Sequence, residues 1–321
     1  MSTYKEINGI KVESLGSDPP APFVGQVWYN TGSNSLKYFA NLSAAWATGG
    51  NMATARNGLG ATGTQTASLA FGGNPSGNTQ TNVTEEYNGS SWTNGGNLGT
   101  ARRCLAGAGT QTAGLGFGGY IVPGQNQVAT EEYNGSSWTN GGNMGTARYK
   151  LGGAGIQTAA LAFGGIGGTN ATEEYNGSSW TGGGNLTTAR NFLAGAGTQT
   201  AGLAFGGTPS EKTATEEYNG TAWTNGGNLN VGRLGLAGCG SQTAAVAFAG
   251  LAASSTRTAA TEEYDGSSWT ATANMPTYKF YLAGCGTATS ALAVAGEVDS
   301  QVATTEEFTG GGPTTLTVGT D

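Results

Sequence analysis

The sequence predicts an all-β fold built from repeats of four short strands, and two observations support that prediction. A tyrosine is followed five residues later by a tryptophan in five places, and the tryptophans of these pairs lie 46, 42, 43 and 46 residues apart. Each pair encloses a tight-turn signal, such as Asn176-Gly177, which is typical of a β-hairpin. A period of this length is typical of propellers and solenoids rather than of independent domains. The pairs are Tyr87/Trp92, Tyr133/Trp138, Tyr175/Trp180, Tyr218/Trp223 and Tyr264/Trp269.

The chain before the repeats predicts an arm followed by a hairpin. Residues 1–24 are polar and end in a proline-rich stretch at 18–22, which favours an extended linker or a turn. Two β-rich runs around a Gly, Ser and Asn turn follow at 25–39, and that pattern predicts a β-hairpin.

Each repeat predicts four strands, named a to d in chain order. Strand a follows the repeat's arginine or lysine and is small and apolar, as at 191–198, which suits a strand crowded near an axis. Strand b, as at 201–207, is a continuous apolar run and should be buried on both faces. Strand c is Thr-Glu-Glu followed by an aromatic residue, and strand d begins around the tryptophan. Each unit is therefore expected to be an antiparallel meander.

The number of segments predicts a six-bladed β-propeller. Strands a, b and c each occur six times, whereas the first strand d, at Trp46, precedes the first strand a, and no tryptophan follows Phe308. If the Trp46 strand pairs with the strand at 304–308, the last blade is complete and no sheet edge is left free. We therefore predict an attachment arm and hairpin at 1–40, a propeller at 41–310, and a C-terminal strand or tail at 311–321. A seventh blade, formed by the 25–46 hairpin and residues 313–318, is the alternative.

Two resemblances extend this prediction. Over residues 46–308 the repeat resembles the kelch type of β-propeller repeat, through the double glycine that ends an apolar strand, the following Tyr and Trp, and the stretch with Asn143, Met144 and Arg148. Residues 25–46 resemble a segment of tail-fibre and other virion proteins of tailed bacteriophages. Together the resemblances imply a kelch-like propeller carried on a phage particle. Some kelch-type propellers are copper oxidases, for which the resemblance would imply histidine ligands, and this chain has no histidine.

The composition argues against an enzyme, a metal or cofactor site, a nucleic-acid partner and a membrane span. Without histidine the chain lacks catalytic triads and most zinc sites. Its 13 Lys and Arg residues form no basic cluster, and the net charge is -7. No apolar run approaches the length of a membrane helix. Cys104, Cys239 and Cys285 are expected to be free thiols of a protein made in a host cytoplasm, without a signal peptide.

The recurring aromatic and acidic residues are predicted to hold the fold together. We assign the six tryptophans to packing between adjacent blades rather than to ligand stacking. A glutamate in every repeat is matched by an arginine or lysine in every repeat, which predicts a ring of structural ion pairs rather than catalytic or calcium-binding carboxylates. The structural tryptophans are Trp46, Trp92, Trp138, Trp180, Trp223 and Trp269.

Loop length indicates where ligands would bind. The b–c loops have 11, 11, 7, 8, 11 and 9 residues, and they should emerge on the same face as the d–a loops, whereas the opposite face is nearly uniform. These loops are rich in amides and hydroxyls, which suits a polar partner such as a glycan or a protein surface. The candidate ligand-binding residues are Tyr120, Asn126, Lys212 and Arg257. The loops are equally consistent with tolerant surface segments that bind nothing.

The sequence thus favours a non-enzymatic phage virion protein, most simply a tail-fibre or tail-associated propeller that binds a host receptor. We expect the N-terminal arm to contact other virion proteins, the variable face to contact a host-surface glycan or protein, and several copies to be present on each particle. A structural capsid-decoration or tail-scaffold subunit is the first alternative. A bacterial sugar-binding lectin is the second.

Overall fold

The computed structural model describes residues 12–166, 170–209 and 213–318, and the regular secondary structure of these residues consists almost entirely of β-strands. They form two compact units, one of residues 12–45 with 310–318 and one of Trp46–Thr309. The described residues contain one 3-10 helix, Ala253–Ser255. The all-β prediction is confirmed.

The smaller unit is a four-stranded sheet whose strands lie in the order β1 (Glu13–Leu15), β2 (Val27–Asn30), β3 (Ser35–Leu42) and β30 (Gly312–Thr317). Strand β1 runs parallel to β2, whereas the other two pairs are antiparallel. The antiparallel pairing of β2 with β3 confirms the predicted hairpin.

The carboxylate of Asp18 fixes the segment that joins β1 to β2. It accepts hydrogen bonds from Nε1 of Trp28 at 3.0 Å, Nδ2 of Asn30 at 2.6 Å and Nζ of Lys37 at 3.0 Å. These bonds, the one from Asn30 most strongly, lower the pKa of Asp18. The sequence indicated only a polar arm here, because a three-residue strand has too few positions to show an alternating pattern; residues 1–11 lie outside the described part.

The larger unit consists of six four-stranded antiparallel sheets formed by the described residues. The first sheet is β5 (Gly60–Thr64), β6 (Ala67–Phe71), β7 (Thr84–Tyr87) and β8 (Trp92–Asn94). The second is β9 (Ala106–Gly109), β10 (Gly114–Phe117), β13 (Thr130–Tyr133) and β14 (Trp138–Asn140), with the small hairpin β11 (Tyr120–Ile121) and β12 (Gln125–Asn126) between β10 and β13. The third is β15 (Gly152–Ile156), β16 (Ala159–Phe163), β17 (Thr172–Tyr175) and β18 (Trp180–Gly182).

The remaining three sheets repeat the same order of strands. The fourth is β19 (Ala194–Gly197), β20 (Gly202–Phe205), β21 (Thr215–Tyr218) and β22 (Trp223–Asn225). The fifth is β23 (Ala237–Gly240), β24 (Ala245–Phe248), β25 (Thr261–Tyr264) and β26 (Trp269–Ala271). The sixth is β27 (Ala283–Thr287), β28 (Ser290–Val294), β29 (Thr305–Thr309) and β4 (Ala45–Thr48), so the Trp46 strand lies beside the C-terminal strand, as predicted.

The a strands contact one another in a cyclic order. Strand β5 contacts β9, and the series continues through β15, β19 and β23 to β27, which contacts β5 again. Small residues are required here: a Cβ at Gly107 would lie 2.8 Å from Cζ of Phe71 and 3.1 Å from the carbonyl oxygen of Ala61, both on the first sheet. The predicted crowding of strand a is confirmed.

Each recurring tryptophan packs against the preceding sheet. The ring of Trp138 lies 4.8 Å, between centroids, from that of Phe71, and its Nε1 donates to Oγ1 of Thr84 at 2.9 Å. The ring thus buries apolar area while its polar atom finds a partner. The same indole-to-threonine bond occurs six times, as Trp46–Thr261, Trp92–Thr305, Trp138–Thr84, Trp180–Thr130, Trp223–Thr172 and Trp269–Thr215.

The first glutamate of each strand c forms an ion pair within its own sheet. Nη2 of Arg148 lies 2.8 Å from Oε1 of Glu173, and both side chains are buried. The predicted ring of structural ion pairs is confirmed by six such bridges. They are Arg56–Glu85, Arg102–Glu131, Arg148–Glu173, Arg190–Glu216, Arg233–Glu262 and Lys279–Glu306.

The second glutamate points to the opposite face of the strand and accepts a hydrogen bond from the next sheet. The hydroxyl of Tyr133 donates to Oε1 of Glu86 at 2.5 Å. Burial, and then this bond, raise the pKa of the tyrosine to about 12. The five such pairs are Tyr87–Glu307, Tyr133–Glu86, Tyr175–Glu132, Tyr218–Glu174 and Tyr264–Glu217.

Candidate ligand-binding site

The d–a and b–c connections meet at one end of the six sheets. The residue after each repeat's arginine or lysine forms an isolated bridge with the residue after the glycine that ends strand b; thus the N–H of Arg103 donates to the carbonyl of Tyr120 at 3.1 Å, and the reverse bond is 2.8 Å. The predicted common face is therefore confirmed, and we call it the variable face. The bridges are Asn57–Asn74, Arg103–Tyr120, Tyr149–Ile166, Asn191–Thr208, Leu234–Leu251 and Phe280–Glu297.

A closed ring of six backbone hydrogen bonds lies at the centre of this face. The N–H of Cys104 donates to the carbonyl of Gly58 at 2.6 Å, and the series continues until the N–H of Gly58 donates to the carbonyl of Tyr281 at 2.7 Å. All members have φ between +53° and +59°, the left-handed region. We call this set the axial ring; its members are Gly58, Cys104, Lys150, Phe192, Gly235 and Tyr281.

A cavity of about 350 Å³ opens on the variable face against the axial ring. Ligand pockets in proteins span about 300–1,000 Å³, so this cavity suits one small ligand or the end of a longer one. Its lining combines aromatic, cationic and amide side chains with one carboxylate. The lining residues are Asn57, Asn74, Arg103, Cys104, Tyr120, Tyr149, Lys150, Phe192, Tyr281 and Glu297.

The cavity contains the two cations of the described chain that have no carboxylate partner. Of the 13 Lys and Arg residues, three lie outside the described ranges and eight of the other ten lie within 4.0 Å of a carboxylate. The remaining two are Arg103 and Lys150, and both line the cavity. The cavity is thus a local site of unneutralised positive charge on a chain whose net charge is -7.

Both cations lie over aromatic rings. Nζ of Lys150 is 4.0 Å from the ring centroid of Phe192 and 5.0 Å from that of Tyr149. Cζ of Arg103 is 5.4 Å from the ring centroid of Tyr120, and its Nη2 donates to Oδ1 of Asn78 at 2.6 Å. Burial, with the nearby charge of Arg103, lowers the pKa of Lys150. The aromatic faces hold these charges without neutralising them.

Two aromatic pairs form the apolar walls of the cavity. The rings of Tyr120 and Tyr149 are 5.0 Å apart, and those of Phe192 and Tyr281 are stacked at 4.9 Å with an interplanar angle of 18°. Gly235 leaves space for this stack, because a Cβ there would lie 2.7 Å from Cδ1 of Tyr281. Flat apolar surfaces of this kind suit the C–H face of a sugar ring or another aromatic group.

Several polar atoms of the lining are available to a ligand. Nδ2 of Asn57 donates to Oε2 of Glu297, which leaves the other carboxylate oxygen without a hydrogen-bond donor among the described residues. Within those residues the hydroxyls of Tyr120, Tyr149 and Tyr281 also lack a protein partner. The cavity therefore offers both donors and acceptors.

Only one of the predicted ligand-binding residues that the structure describes lines the cavity. Tyr120 lines the cavity, and Asn126 pairs with Tyr120 across the β11–β12 hairpin. Arg257 lies outside the cavity lining, where its Nη1 is 2.5 Å from Oδ1 of Asp299. Lys212 lies outside the described residues.

Sequence reasoning missed most of the cavity, including Arg103, Tyr149, Lys150, Phe192 and Tyr281. A signal was present in the two positions that follow each repeat's arginine or lysine. They read Asn-Gly, Arg-Cys, Tyr-Lys, Asn-Phe, Leu-Gly and Phe-Tyr, whereas the third position is leucine in all six repeats. Such variation beside an invariant core position marks side chains that the fold does not specify.

The described residues hold little chemistry of other kinds, such as metal-binding groups, reactive thiols or membrane-spanning helices. The described residues contain no group of three or more Cys, Asp or Glu side chains arranged to hold a metal ion. Cys104, Cys239 and Cys285 are free thiols, and burial raises the pKa of each. No helix among the described residues has the length and apolar character needed to cross a membrane.

Comparison with protein-family models gives no match for this chain. Comparison with curated proteins gives none either.

Proposed function

We propose that the six sheets of the larger unit are the blades of a closed, kelch-like β-propeller and that the smaller unit is a separate sheet rather than a seventh blade. Three features support this: the a-strand contacts, the Trp–Thr bonds and the axial ring each return to the first sheet after six steps. The double glycines, tyrosines and tryptophans occupy equivalent positions in these sheets, in keeping with the resemblance to kelch repeats.

The function that this geometry favours is receptor binding by a non-enzymatic virion protein of a tailed bacteriophage. The observation that supports it best is the cavity at the centre of the variable face, where aromatic walls and two unpaired cations lie on a rigid backbone ring. A rigid scaffold with variable loops is the usual setting for a binding site. The receptor would be a host-surface glycan or protein, contacted without a cofactor.

The smaller unit would join the propeller to other virion proteins. The segment that resembles phage tail-fibre proteins, 25–46, belongs to this unit except for Trp46. Display of many copies on one particle would turn weak contacts into firm attachment, because linked binding events raise the effective concentration of each site.

Binding of the labelled protein to host cells tests this proposal. The informative variant shortens the β11–β12 hairpin by replacing residues 121–125 with Asn-Gly, a two-residue turn that keeps Tyr120 opposite Asn126. The matched control is Ile156→Thr, which changes an exposed residue at the opposite, a–b end of the sheets to the threonine that most repeats carry there. Loss of cell binding in the hairpin variant alone supports the proposal; equal binding by both variants and the parent protein refutes it.

A structural virion subunit is the second candidate, and the uniform face favours it. The c–d turn repeats with the same bonds in successive sheets: Oδ1 of Asn134 accepts from the backbone N of Ser136 at 3.0 Å and of Ser137 at 2.9 Å, and Asn176 does the same. A regular polar surface of this kind suits packing against neighbouring subunits. Electron microscopy of native particles separates the candidates: density at a fibre or tail tip supports receptor binding, density tiled over a capsid supports the subunit, and absence from particles leaves a bacterial lectin.

A further inference from the structure

We propose that the cavity on the variable face binds a single sugar residue that carries a carboxylate, such as a uronic acid in a surface polysaccharide. This inference rests on the proposed receptor-binding function and names the class of ligand. It depends on three properties of the cavity: its charge, its aromatic walls and its free hydrogen-bonding atoms.

The charge favours an anion. Arg103 and Lys150 contribute two formal positive charges and Glu297 one formal negative charge, so the formal charges of the lining sum to +1. Every other described cation has a carboxylate within 4.0 Å, whereas these two face the cavity without one. A ligand with one carboxylate would neutralise this charge, and a charge-assisted hydrogen bond in a partly buried site is stronger than one between neutral groups.

The walls and the polar atoms favour a sugar as the rest of the ligand. The stacked Phe192–Tyr281 pair and the Tyr120–Tyr149 pair present flat apolar surfaces. The free carboxylate oxygen of Glu297 accepts hydrogen bonds, so it selects a ligand with hydroxyl donors in addition to its acid group. A simple carboxylate such as acetate, or an anion such as sulfate, lacks those donors.

The volume suits a short saccharide segment. A cavity of about 350 Å³ lies near the lower end of the ~300–1,000 Å³ range of ligand pockets, so it accommodates one carboxylated pyranose and part of a neighbouring sugar. The site therefore recognises the end or one exposed residue of a glycan. The flanking b–c loops would contact the neighbouring sugars.

The test measures binding of methyl glycosides to the full-length chain by calorimetry and ligand-observed NMR. The panel contains the glycosides of glucuronic, galacturonic and mannuronic acid, each with its neutral hexose counterpart and the corresponding hexose 6-phosphate. We expect at least one uronide to bind tenfold or more tightly than its neutral counterpart, with an affinity that falls as salt is raised.

The charge variants Lys150→Met and Arg103→Met should each weaken uronide binding about tenfold and change neutral-sugar binding less than twofold. Methionine keeps a long apolar side chain over the aromatic rings, and two independent variants guard against a folding defect, which thermal melting would reveal. Lys37→Met in the smaller unit is the matched control and should bind like the parent protein.

Three results would overturn the proposal: equal binding of uronides and neutral sugars, tighter binding of a 6-phosphate than of any uronide, or unchanged uronide binding in both charge variants. These outcomes are separable from the receptor-binding proposal. Cell binding that depends on the β11–β12 hairpin without any uronide preference refutes the sugar assignment alone, whereas uronide binding without cell binding supports the site and refutes the phage-receptor function.

Discussion

The contact between the fifth and sixth sheets lacks the Tyr–Glu hydrogen bond that joins the other sheets, and this difference can be tested by mutation. Tyr264 donates to Glu217 of the preceding sheet at 2.5 Å, but the equivalent residue of the sixth sheet is Phe308. The glutamate that would accept a hydrogen bond from a tyrosine at position 308 is Glu263, and its Oε1 is buried without a hydrogen-bond partner. Burial raises the pKa of Glu263. We therefore expect this interface to be weaker than its equivalents.

The reason for the phenylalanine lies across the interface. At the preceding interface a Cβ placed on Gly226 would lie 2.8 Å from the hydroxyl of Tyr264, so a glycine is needed opposite the tyrosine. The residue equivalent to Gly226 in the fifth sheet is Thr272. By the same geometry, the side chain of Thr272 should occupy the space that a hydroxyl at position 308 would need.

The perturbation is a double-mutant cycle of Phe308→Tyr and Thr272→Gly. Phe308→Tyr alone should destabilise the protein by about 1–3 kcal/mol, because it overpacks against Thr272. Thr272→Gly alone should cost about 1 kcal/mol through the added flexibility of glycine. In the Thr272→Gly background the new tyrosine should gain about 2 kcal/mol, the usual value for a hydrogen bond to a charged group. The coupling free energy between the two sites is then about 3 kcal/mol or more.

Urea titration followed by tryptophan fluorescence measures these free energies of unfolding. Tyr264→Phe is the matched control. It should leave Glu217 without its hydrogen-bond donor, as Glu263 already is, and should lower the free energy of unfolding by about 2 kcal/mol. If Phe308→Tyr stabilises the parent protein and the Thr272→Gly variant equally, Thr272 is not the obstacle. If the double variant is no more stable than Thr272→Gly, the carboxylate of Glu263 is not deprived of a partner.

The same cycle has a pH dependence of known sign. Because the pKa of Glu263 is raised in the folded state, folding favours the protonated form of this carboxyl group. The stability gained from this protonation is present below the ordinary pKa of glutamate, near 4.3, and is lost as the pH rises through the raised pKa of Glu263. The advantage of the double variant over Thr272→Gly should therefore be full at neutral pH and shrink as the pH falls through that window.

Three further predictions concern the repeated contacts. Gln111→Ala should cost about 1–2 kcal/mol, because Nε2 of Gln111 donates to two carbonyl oxygens of the first sheet at 3.1 and 2.6 Å, and Ala288→Gln, at the one repeat that lacks this glutamine, should gain a similar amount in urea titration. Arg148→Met should cost about 3–5 kcal/mol, because it leaves the carboxylate of Glu173 buried without its cation, and Arg148→Met with Glu173→Gln should recover part of that loss. Cys285, whose pKa burial raises to about 11, should resist iodoacetamide at pH 8 until the protein is unfolded, as mass spectrometry would show.

The repeated features were predictable because the same physical constraint acts six times. Strand order, the cyclic a-strand contacts, the ion pairs and the pairing of the Trp46 strand with Thr305–Thr309 all follow from periodicity and from the need to satisfy buried charges. The partners of the second glutamates were not predicted, since the Tyr–Glu bond joins residues 43 to 47 positions apart in different repeats, or 220 for Tyr87 and Glu307.

The features that occur once were not predictable in the same way. Strand β1 pairs in parallel through three residues, which is too short for a pattern to appear. The Asn-Gly signal is typical of a two-residue turn, but the c–d turn has the four residues between Tyr87 and Trp92. The longer turn is stabilised by the side chain of Asn88, which accepts hydrogen bonds from the backbone N–H groups of Ser90 and Ser91. The cavity depends on the side chains at the second position after each repeat's arginine or lysine, and the varied residues there do not reveal that their backbones bond to one another in a ring.

The backbone of the axial ring and the side chains of its members have different roles in our proposal. Its bonds use only backbone atoms, and glycine at all six positions would satisfy its φ values without strain, as it does at Gly58 and Gly235. A side chain in the left-handed region costs about 1 kcal/mol or more, yet Cys104, Lys150 and Phe192, with Tyr281, adopt it. Three of these four place an ammonium group and two aromatic rings into the same cavity. The backbone ring therefore depends on none of these side chains, whereas the proposed ligand binding depends on them.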